Sequence, residues 1–390
     1  MKTRTAALLM AAACLLHAWA ALRWFASPLY SSSTLRFAQA VPPPESQDNP
    51  CLVEEFINAP SEGHSVHAAS LCELSGGRLA AAWYGGSREG GRDVSVYFAE
   101  KSPGNDGRWA APRPVVNAAS ASRELDRYVK KVGNPVIFSE PGDQVWLLFV
   151  TVSVGGWSGS SLNLKTSKDS GKTWSESRRL TLSPFFNVSE LVRNRPVPLE
   201  GGILAVPVYH EFLGRFPEVL WLAPASSARG HTYRKSRMAG GRRYIQPSIV
   251  PLGPNRAVAF YRNMSEDRTV VMATSNDSGL SWSPPRPTPL PNPNSGLQAI
   301  LLPSQRVLIA FNDSRRERDN LTLAISEDGG ASWKRIAVME NTPGAEFSYP
   351  YMIRDGKGWT HLVYTWHRKR IKHVAFNDSW IEAHAGGAIP

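Results

Sequence analysis

One eight-residue pattern, Ser-x-Asp-x-Gly-x-(Thr/Ser)-Trp, occurs three times in full in this chain of 390 residues. It runs from Ser167 to Trp174, from Ser275 to Trp282 and from Ser326 to Trp333, and Ser102–Trp109 is a degenerate copy with its glycine displaced. The pattern is that of a tight hairpin. Ser and Asp side chains bond nearby backbone amides, glycine supplies positive φ, and the Trp packs under the turn. The copies begin 65, 108 and 51 residues apart, and 108 is close to twice the smaller spacings. The repeating unit therefore spans about 50–65 residues, with one copy lost between Ser167 and Ser275, a period that predicts four-stranded propeller blades.

A second repetition agrees. Apolar runs ending in aromatic or polar residues follow turn signals six times, at residues 79–84, 145–151, 204–209, 257–261, 307–311 and 359–365. Their length and their β-branched and aromatic content make them strands. A shorter apolar strand precedes each. These shorter strands open at His67-Ala68, Gly133-Asn134, Asn194-Arg195, Ile245-Gln246, Ser295-Gly296 and Ser348-Tyr349. The expected fold is all-β, a six-bladed β-propeller over residues 51–384, with the strand after Cys51 closing the ring beside the last blade. Only residues 120–131 read as helical, as a short insertion. The innermost strand of each blade starts at the central funnel, so the six openers are site candidates by position.

The N-terminus reads as a targeting segment over residues 1–24. Lys2 and Arg4 precede an uncharged, mostly apolar stretch from Ala6 to Leu22, and Ala18-Trp19-Ala20 offers a small-x-small cleavage site. A cleaved signal peptide and an uncleaved signal anchor both export the folded part, to the periplasm or beyond. Residues 25–50, rich in Ser and Pro, read as a linker. Cys51 and Cys72 remain after signal removal, as one disulfide in an oxidising compartment or as two free thiols. The formal charge is +11. No basic run is interleaved with aromatics as a nucleic-acid groove requires, so no nucleic-acid partner is expected. His367-Arg368-Lys369-Arg370 is the densest basic cluster, read as a solvated strand end or as part of a field that favours anionic glycans. No zinc-ligand spacing, calcium loop or phosphate-binding glycine loop occurs, so no metal or cofactor is expected.

The hairpin motif with this spacing resembles the Asp-box, or BNR-repeat, proteins of the sialidase (neuraminidase) superfamily. Residues 82–93, 290–296, 347–353 and 364–374 are similar to the bacterial exo-α-sialidase-like branch. The resemblance covers nearly all of the chain after Cys51. It implies three arginines around a substrate carboxylate, a tyrosine nucleophile paired with a glutamate, and an aspartate acid/base. Guanidinium suits the first role because it donates two parallel charged hydrogen bonds to a carboxylate. A tyrosine nucleophile departs from the usual two-carboxylate scheme of glycoside hydrolysis.

By position, Arg262 and Arg318 match two clamp arginines, with Arg315 and Arg316 as rivals for the second. Tyr349 matches the nucleophile and Asp93 the acid/base. Arg88 and Glu89 lie on the Asp93 loop, and Glu211 is a further carboxylate near Tyr209. Two positions depart from the family pattern. His67 stands where the first clamp arginine belongs, and Gln246 stands where the glutamate partner of the tyrosine belongs. An amide cannot take the phenol proton as a carboxylate does. Three functions are therefore expected in turn. The first is an exported glycoside hydrolase acting on a terminal acidic sugar. The second is a non-catalytic propeller that binds acidic glycan. The third is a uronate polysaccharide lyase with His67 and Tyr349 as base and acid.

Overall fold

A computed structural model describes residues 5–6, 10–19, 35–39, 49–59, 64–104, 107–140, 142–182, 187–224 and 231–386. Six antiparallel sheets form the ring. The chain enters through β1 (Leu52–Phe56) and then builds blade 1 from β2 (Ser65–Leu74), β3 (Arg78–Gly86), β4 (Ser95–Lys101) and β5 (Arg113–Asn117). After helix α1 (Ala118–Glu124), blade 2 comprises β6 (Lys131–Ser139), β7 (Val145–Val152), β8 (Ser160–Ser167) and β9 (Arg178–Arg179). In blade 3 the inner strand is split into β10 (Leu191–Val192) and β11 (Val197–Pro198), both paired with β12 (Leu204–His210), followed by β13 (Phe216–Pro224) and β14 (His231–Arg237).

Blade 4 runs β15 (Tyr244–Pro251), β16 (Ala257–Asn263), β17 (Thr269–Ser275) and β18 (Arg286–Pro291), and blade 5 runs β19 (Gln298–Leu301), β20 (Val307–Phe311), β21 (Asn320–Ser326) and β22 (Lys334–Asn341). Blade 6 has β23 (Phe347–Arg354), β24 (Thr360–Trp366) and β25 (Arg370–Phe376), and β1 supplies its outermost strand, Leu52 opposite Phe376. The expected closure beside the last blade is what forms. Joining the two chain ends in one sheet leaves no open gap in the ring.

The second strand of each blade is covered on both faces. All of β7 is buried, for example, which explains its unbroken apolar run. Helix α1 overlaps only the first part of the helix expected over residues 120–131; residues 125–130 are turn and coil, and β6 begins at Lys131. Helix α2 (Asp378–Gly386) was not expected; it buries Trp380 and Ile381 and is held by Arg354, which donates to both Asp378 oxygens at 2.7 and 2.9 Å. All three cysteines are free, so the alternative with a Cys51–Cys72 disulfide does not hold here.

The register fixes two faces. Ile245 pairs with Arg262 at the end where the inner strands begin, called the upper face here, while Ala257 pairs with Ser275 at the lower end. The Asp-box hairpins follow Ser167, Ser275 and Ser326 and so lie on the lower face. They sit between the third and fourth strands of blades 2, 4 and 5. Blade 6 needs none, because its fourth strand comes from β1. The matching connection of blade 3 falls outside the described residues.

Each hairpin is closed by its own bonds. Asp328 Oδ1 accepts from the Ser332 amide at 2.8 Å, and Ser326 Oγ accepts from the Gly330 amide at 2.7 Å. Its Trp333 indole packs edge-on to Phe260 of blade 4 at 5.5 Å, and Trp174 packs likewise on Phe98 of blade 1 at 5.7 Å. The motif is thus also an inter-blade contact. Gly171 (φ +90°) and Gly330 (φ +104°) press on those same phenylalanines, and a Cβ would approach their rings to 2.4 and 2.7 Å. Gly330→Ala is expected to cost on the order of 2–4 kcal/mol, from strained positive φ plus overpacking. Urea unfolding checks it, and a loss below about 0.5 kcal/mol would contradict this account of the motif.

Part of the expected linker belongs to the ring. Leu35 and Phe37 are 2% and 0% exposed, packed with Val197, Leu199, Trp221 and Trp282 between blades 3 and 4. The Phe37 amide donates to Pro254 O at 2.7 Å, the Ala38 amide to Pro198 O at 3.0 Å, and Ser278 Oγ to Leu35 O at 2.7 Å. Residues 25–34, 40–48 and the rest of the targeting stretch beyond residue 19 lie outside the described residues. Residues 10–19 are helical and exposed. Among the described residues no helix is long and apolar enough to cross a membrane.

Candidate active site

The inner strands of blades 1, 2, 4 and 6 share one irregularity. Pairing slips between His67 and Ser70, Gly133 and Val136, Ile245 and Ser248, and Ser348 and Tyr351. At each slip one non-glycine residue takes positive φ: Ala68 at 54°, Asn134 at 47°, Gln246 at 54° and Tyr349 at 55°. Such bulges re-aim side chains, and strain of about 1–3 kcal/mol each persists only where the surroundings hold it. In three of the four the next residue is proline (Pro135, Pro247, Pro350), which has no amide to offer the ladder.

Carbonyls freed by three of the four bulges, those of blades 1, 4 and 6, are bound from blade 3. Arg193 lies in the gap between β10 and β11 and is 2% exposed. It donates to Ala69 O at 3.1 Å, Tyr349 O at 2.6 Å and Pro350 O at 3.4 Å. Its guanidinium also faces the rings of Tyr349 and Tyr351 at 5.2 and 5.6 Å. Burial lowers its pKa to about 10, which leaves it charged at neutral pH. Asn194 Nδ2 binds Gln246 O at 2.9 Å and Pro247 O at 3.0 Å. Blade 3 thereby joins blades 1, 4 and 6 across the ring axis. The sequence pattern puts the opener of this strand at Asn194-Arg195, one residue past Arg193. Arg195 instead lines a cavity of about 410 Å³ with Glu73, Gln298 and Arg354, at the lower end of the inner strands.

Tyr349 is half-buried above this support. Arg262 Nη1 donates to its hydroxyl at 3.2 Å and to Gln246 Oε1 at 3.4 Å, while Arg262 Nε donates to Asn294 Oδ1 at 2.8 Å. Gln246 Nε2 donates to Tyr209 Oη at 3.2 Å. Arg318 Nη2 reaches Asn294 O at 2.7 Å, and Arg318 Nη1 stands 3.7 Å from Glu346. Tyr349, Gln246, Arg262 and Arg318 are therefore one connected group. Burial lowers the Arg318 pKa. Of its rivals, Arg315 is turned to the Asp267 carbonyl and Arg316 is exposed.

A third guanidinium joins from the basic cluster. Arg368 donates from Nε to Glu346 at 2.5 Å and from Nη1 to Glu89 at 2.7 Å, and its carbonyl accepts from the Val66 amide at 2.8 Å. Arg368 thus comes from blade 6 to stand beside His67, where the family resemblance expects an arginine. Its carboxylate partners hold its pKa up against partial burial. His67 is 1% exposed and sits edge-on to Tyr349 at 4.6 Å, with neither ring nitrogen partnered. Burial, then the charges of Arg368, Arg318, Arg193 and Arg262, hold its pKa well below the usual range. His67 is therefore neutral, and it supports the Tyr349 ring from a position that solvent does not reach.

The carboxylates differ in character. Asp93 is exposed and tied to Ser87, accepting from its amide at 2.6 Å and its hydroxyl at 2.9 Å. Those bonds lower its pKa and favour the ionised form. Glu211 is half-buried, and burial raises its pKa against the pull of Arg262 and Arg215. Of the two, Glu211 has the surroundings of a group that holds a proton. Arg88 is exposed on the Asp93 loop, and Glu89 of that loop is the partner of Arg368.

The opposite wall is aromatic. Trp157 packs on Gly133, lies 6.3 Å from Tyr84, and carries Lys131 over its ring at 4.0 Å. Away from this group, Glu190, His210 and Glu218 come within cation-holding distance of one another. The Lys235 ammonium already binds both carboxylates there.

A six-bladed ring whose bulged inner strands gather arginines about a tyrosine is of the sialidase-like class. Residues 77–362 match the BNR repeat-like domain, and the chain belongs to that family. In three dimensions it is similar to the Hadza microbial sialidase Hz136, at a TM-score of 0.64 and 17% identity, over 80% of this chain and 65% of that one. The chain thus spans just under two thirds of that sialidase. It is also similar to the intramolecular trans-sialidase from Ruminococcus gnavus, solved with oseltamivir carboxylate (TM-score 0.60, 14% identity, 83% of this chain, 96% of that one). A protein of unknown function from Dyadobacter fermentans aligns as well (TM-score 0.65, 15% identity, 83% and 97%). At these identities the likenesses carry the fold, and the site must be argued from its own residues.

Proposed function

We propose that this chain is an exported, sialidase-like glycoside hydrolase acting on a terminal acidic sugar. The observation that carries the reading is the Arg262 guanidinium, which donates to the Tyr349 hydroxyl within a chain of contacts that includes Arg318 and Arg368. Arg262 and Arg318 bind the sugar carboxylate, and Arg368 adds positive charge from blade 6. Tyr349 attacks the anomeric carbon through its phenol oxygen, whose proton leaves to water at the mouth while Arg262 donates to that oxygen. Glu211 gives a proton to the leaving oxygen and later takes one from the water that displaces Tyr349 from the anomeric carbon, and the released phenol oxygen regains its proton from solvent. Export rests on the basic start and apolar stretch of the first 24 residues.

A specific observation favours a second reading, binding without turnover. Among the described residues no carboxylate contacts the Tyr349 hydroxyl, and Gln246 fills the place beside it. The lyase reading fares worse, because a base must touch its substrate and His67 is enclosed. The test is hydrolysis of a fluorogenic sialoside by the full chain, with Tyr349→Phe alongside. Hydrolysis by the wild type and a loss of about 1,000-fold or more in the variant is the expected result. Tight binding of acidic oligosaccharide with no turnover by either protein would establish the second reading instead.

A further inference from the structure

We infer that the upper rim over blades 2 and 3 docks on an anionic lipid surface and so turns the Arg262–Tyr349 mouth toward glycans carried there. Beyond the N-terminal helix, five described large apolar side chains are more than half exposed: Tyr128 (60%), Val154 (78%), Phe212 (59%), Leu213 (71%) and Val338 (51%). The first four lie on upper loops of two neighbouring blades. Tyr128 precedes β6 and Val154 follows β7, at the end where Lys131 pairs with Val152. Phe212 and Leu213 follow β12, at the end where His210 pairs with Phe216. Exposed apolar groups gathered on one side of a molecule mark an interaction surface.

The loops are braced to hold these tips outward. Ser153 Oγ donates to Tyr128 O at 2.6 Å and accepts from Arg127 at 3.0 Å, which ties the two blade 2 loops together. The Leu213 amide donates to His210 Nε2 at 3.0 Å, and the His210 ring stacks on Phe216 at 4.7 Å. Order of this kind removes the entropy cost that a floppy loop would meet on docking.

Charge indicates the partner. Arg215, Arg237, Arg242 and Arg243 are exposed on the same upper edge. Arg215 and Arg243 are bridged through their backbones, and Arg237 lies over the Phe216 ring at 4.0 Å. None of the four forms an ion pair with a carboxylate among the described residues. Apolar tips flanked by exposed guanidiniums match the boundary between acyl chains and anionic headgroups. Val154 and Leu213 are aliphatic and have no flat face for a sugar ring to stack on, which favours lipid over a longer glycan as the occupant. The net charge of +11 acts in the same direction at long range.

The inference concerns a surface outside the catalytic group, and its test needs no turnover. The full chain carrying Cys14→Ser, Cys51→Ser and Leu213→Cys is labelled with a polarity-sensitive dye; Cys72 is buried and stays unlabelled. It is mixed with vesicles of phosphatidylcholine alone or with one quarter phosphatidylglycerol. Because Leu35 and Phe37 join the ring on the lower face, a dye at residue 213 reads the upper rim alone. The expected result is a blue shift on the anionic vesicles that weakens with salt. Phe212→Ser with Val154→Ser should lower partitioning of the dye-reported state at least about tenfold and leave the unfolding midpoint unchanged. A dye that stays in water while the chain sediments with vesicles would assign binding to the N-terminal segment and overturn the inference. Absence of binding to either vesicle would overturn it as well.

Discussion

Arg262→Ala should lower kcat/KM for an acidic sugar about 10- to 150-fold while leaving the fold intact, since a charged hydrogen bond is worth roughly 1.5–3 kcal/mol and one guanidinium nitrogen is left for the carboxylate. Arg262 holds its place through Asn294 at 2.8 Å and shares Nη1 between Tyr349 and Gln246. Its Nη2 has no partner among the described residues, which leaves that nitrogen for the substrate. Arg262→Lys should recover less than about tenfold, because an ammonium keeps the charge and loses the planar fork. The two variants are compared on an acidic sugar and on its neutral ester. The ester should be a poor substrate for all three proteins, with little further loss on mutation. A kcat/KM for Arg262→Ala within threefold of wild type would remove Arg262 from the proposed clamp.

Arg193→Met is expected to cost about 3–5 kcal/mol of folding stability, the penalty for removing one side of a buried charged network. The substitution conserves much of the volume and leaves Ala69 O, Tyr349 O and Pro350 O without a donor. Each orphaned buried carbonyl costs about 1–3 kcal/mol. Arg193→Lys should not restore stability, because one ammonium cannot reach three carbonyls on two other blades. Urea unfolding with linear extrapolation measures the loss. Activity should fall too, since the Tyr349 bulge loses its anchor. An unchanged unfolding free energy in Arg193→Met would mean that the bulges hold themselves, and that blade 3 is not their support.

These two arginines were not equally visible beforehand. Arg262 ends a strand 16 residues after an opener, so strand periodicity alone puts it near the mouth. Arg193 sits one residue before the chosen opener, in a strand that breaks in two. No periodic signal separates Arg193 from Arg195, yet one anchors the site and the other faces the lower cavity. Arg368 was legible only as part of a basic cluster. Its role came from the Val66–Arg368 backbone bond, which draws the last blade against the first. Leu35 and Phe37 were lost in a Ser- and Pro-rich stretch, because two apolar residues without a period give no pattern to read.

The residues by themselves determined the number of blades and the succession of strands within each. Those features rest on hairpins whose bonds span four residues or fewer and on apolar runs within single strands, so local sequence contains them. The tertiary structure decided which side chains meet at the upper mouth. Four strained bulges re-aim the inner strands, and carbonyls freed at three of them, in blades 1, 4 and 6, are bound by Arg193 and Asn194 from blade 3. Those bonds join residues from 52 to 157 positions apart, a separation over which the sequence carries no period. It also decided the charge state around Tyr349. Burial in the closed ring and the charges of four arginines hold the His67 pKa well below its usual range, so that it stays neutral even where a free histidine would take up a proton.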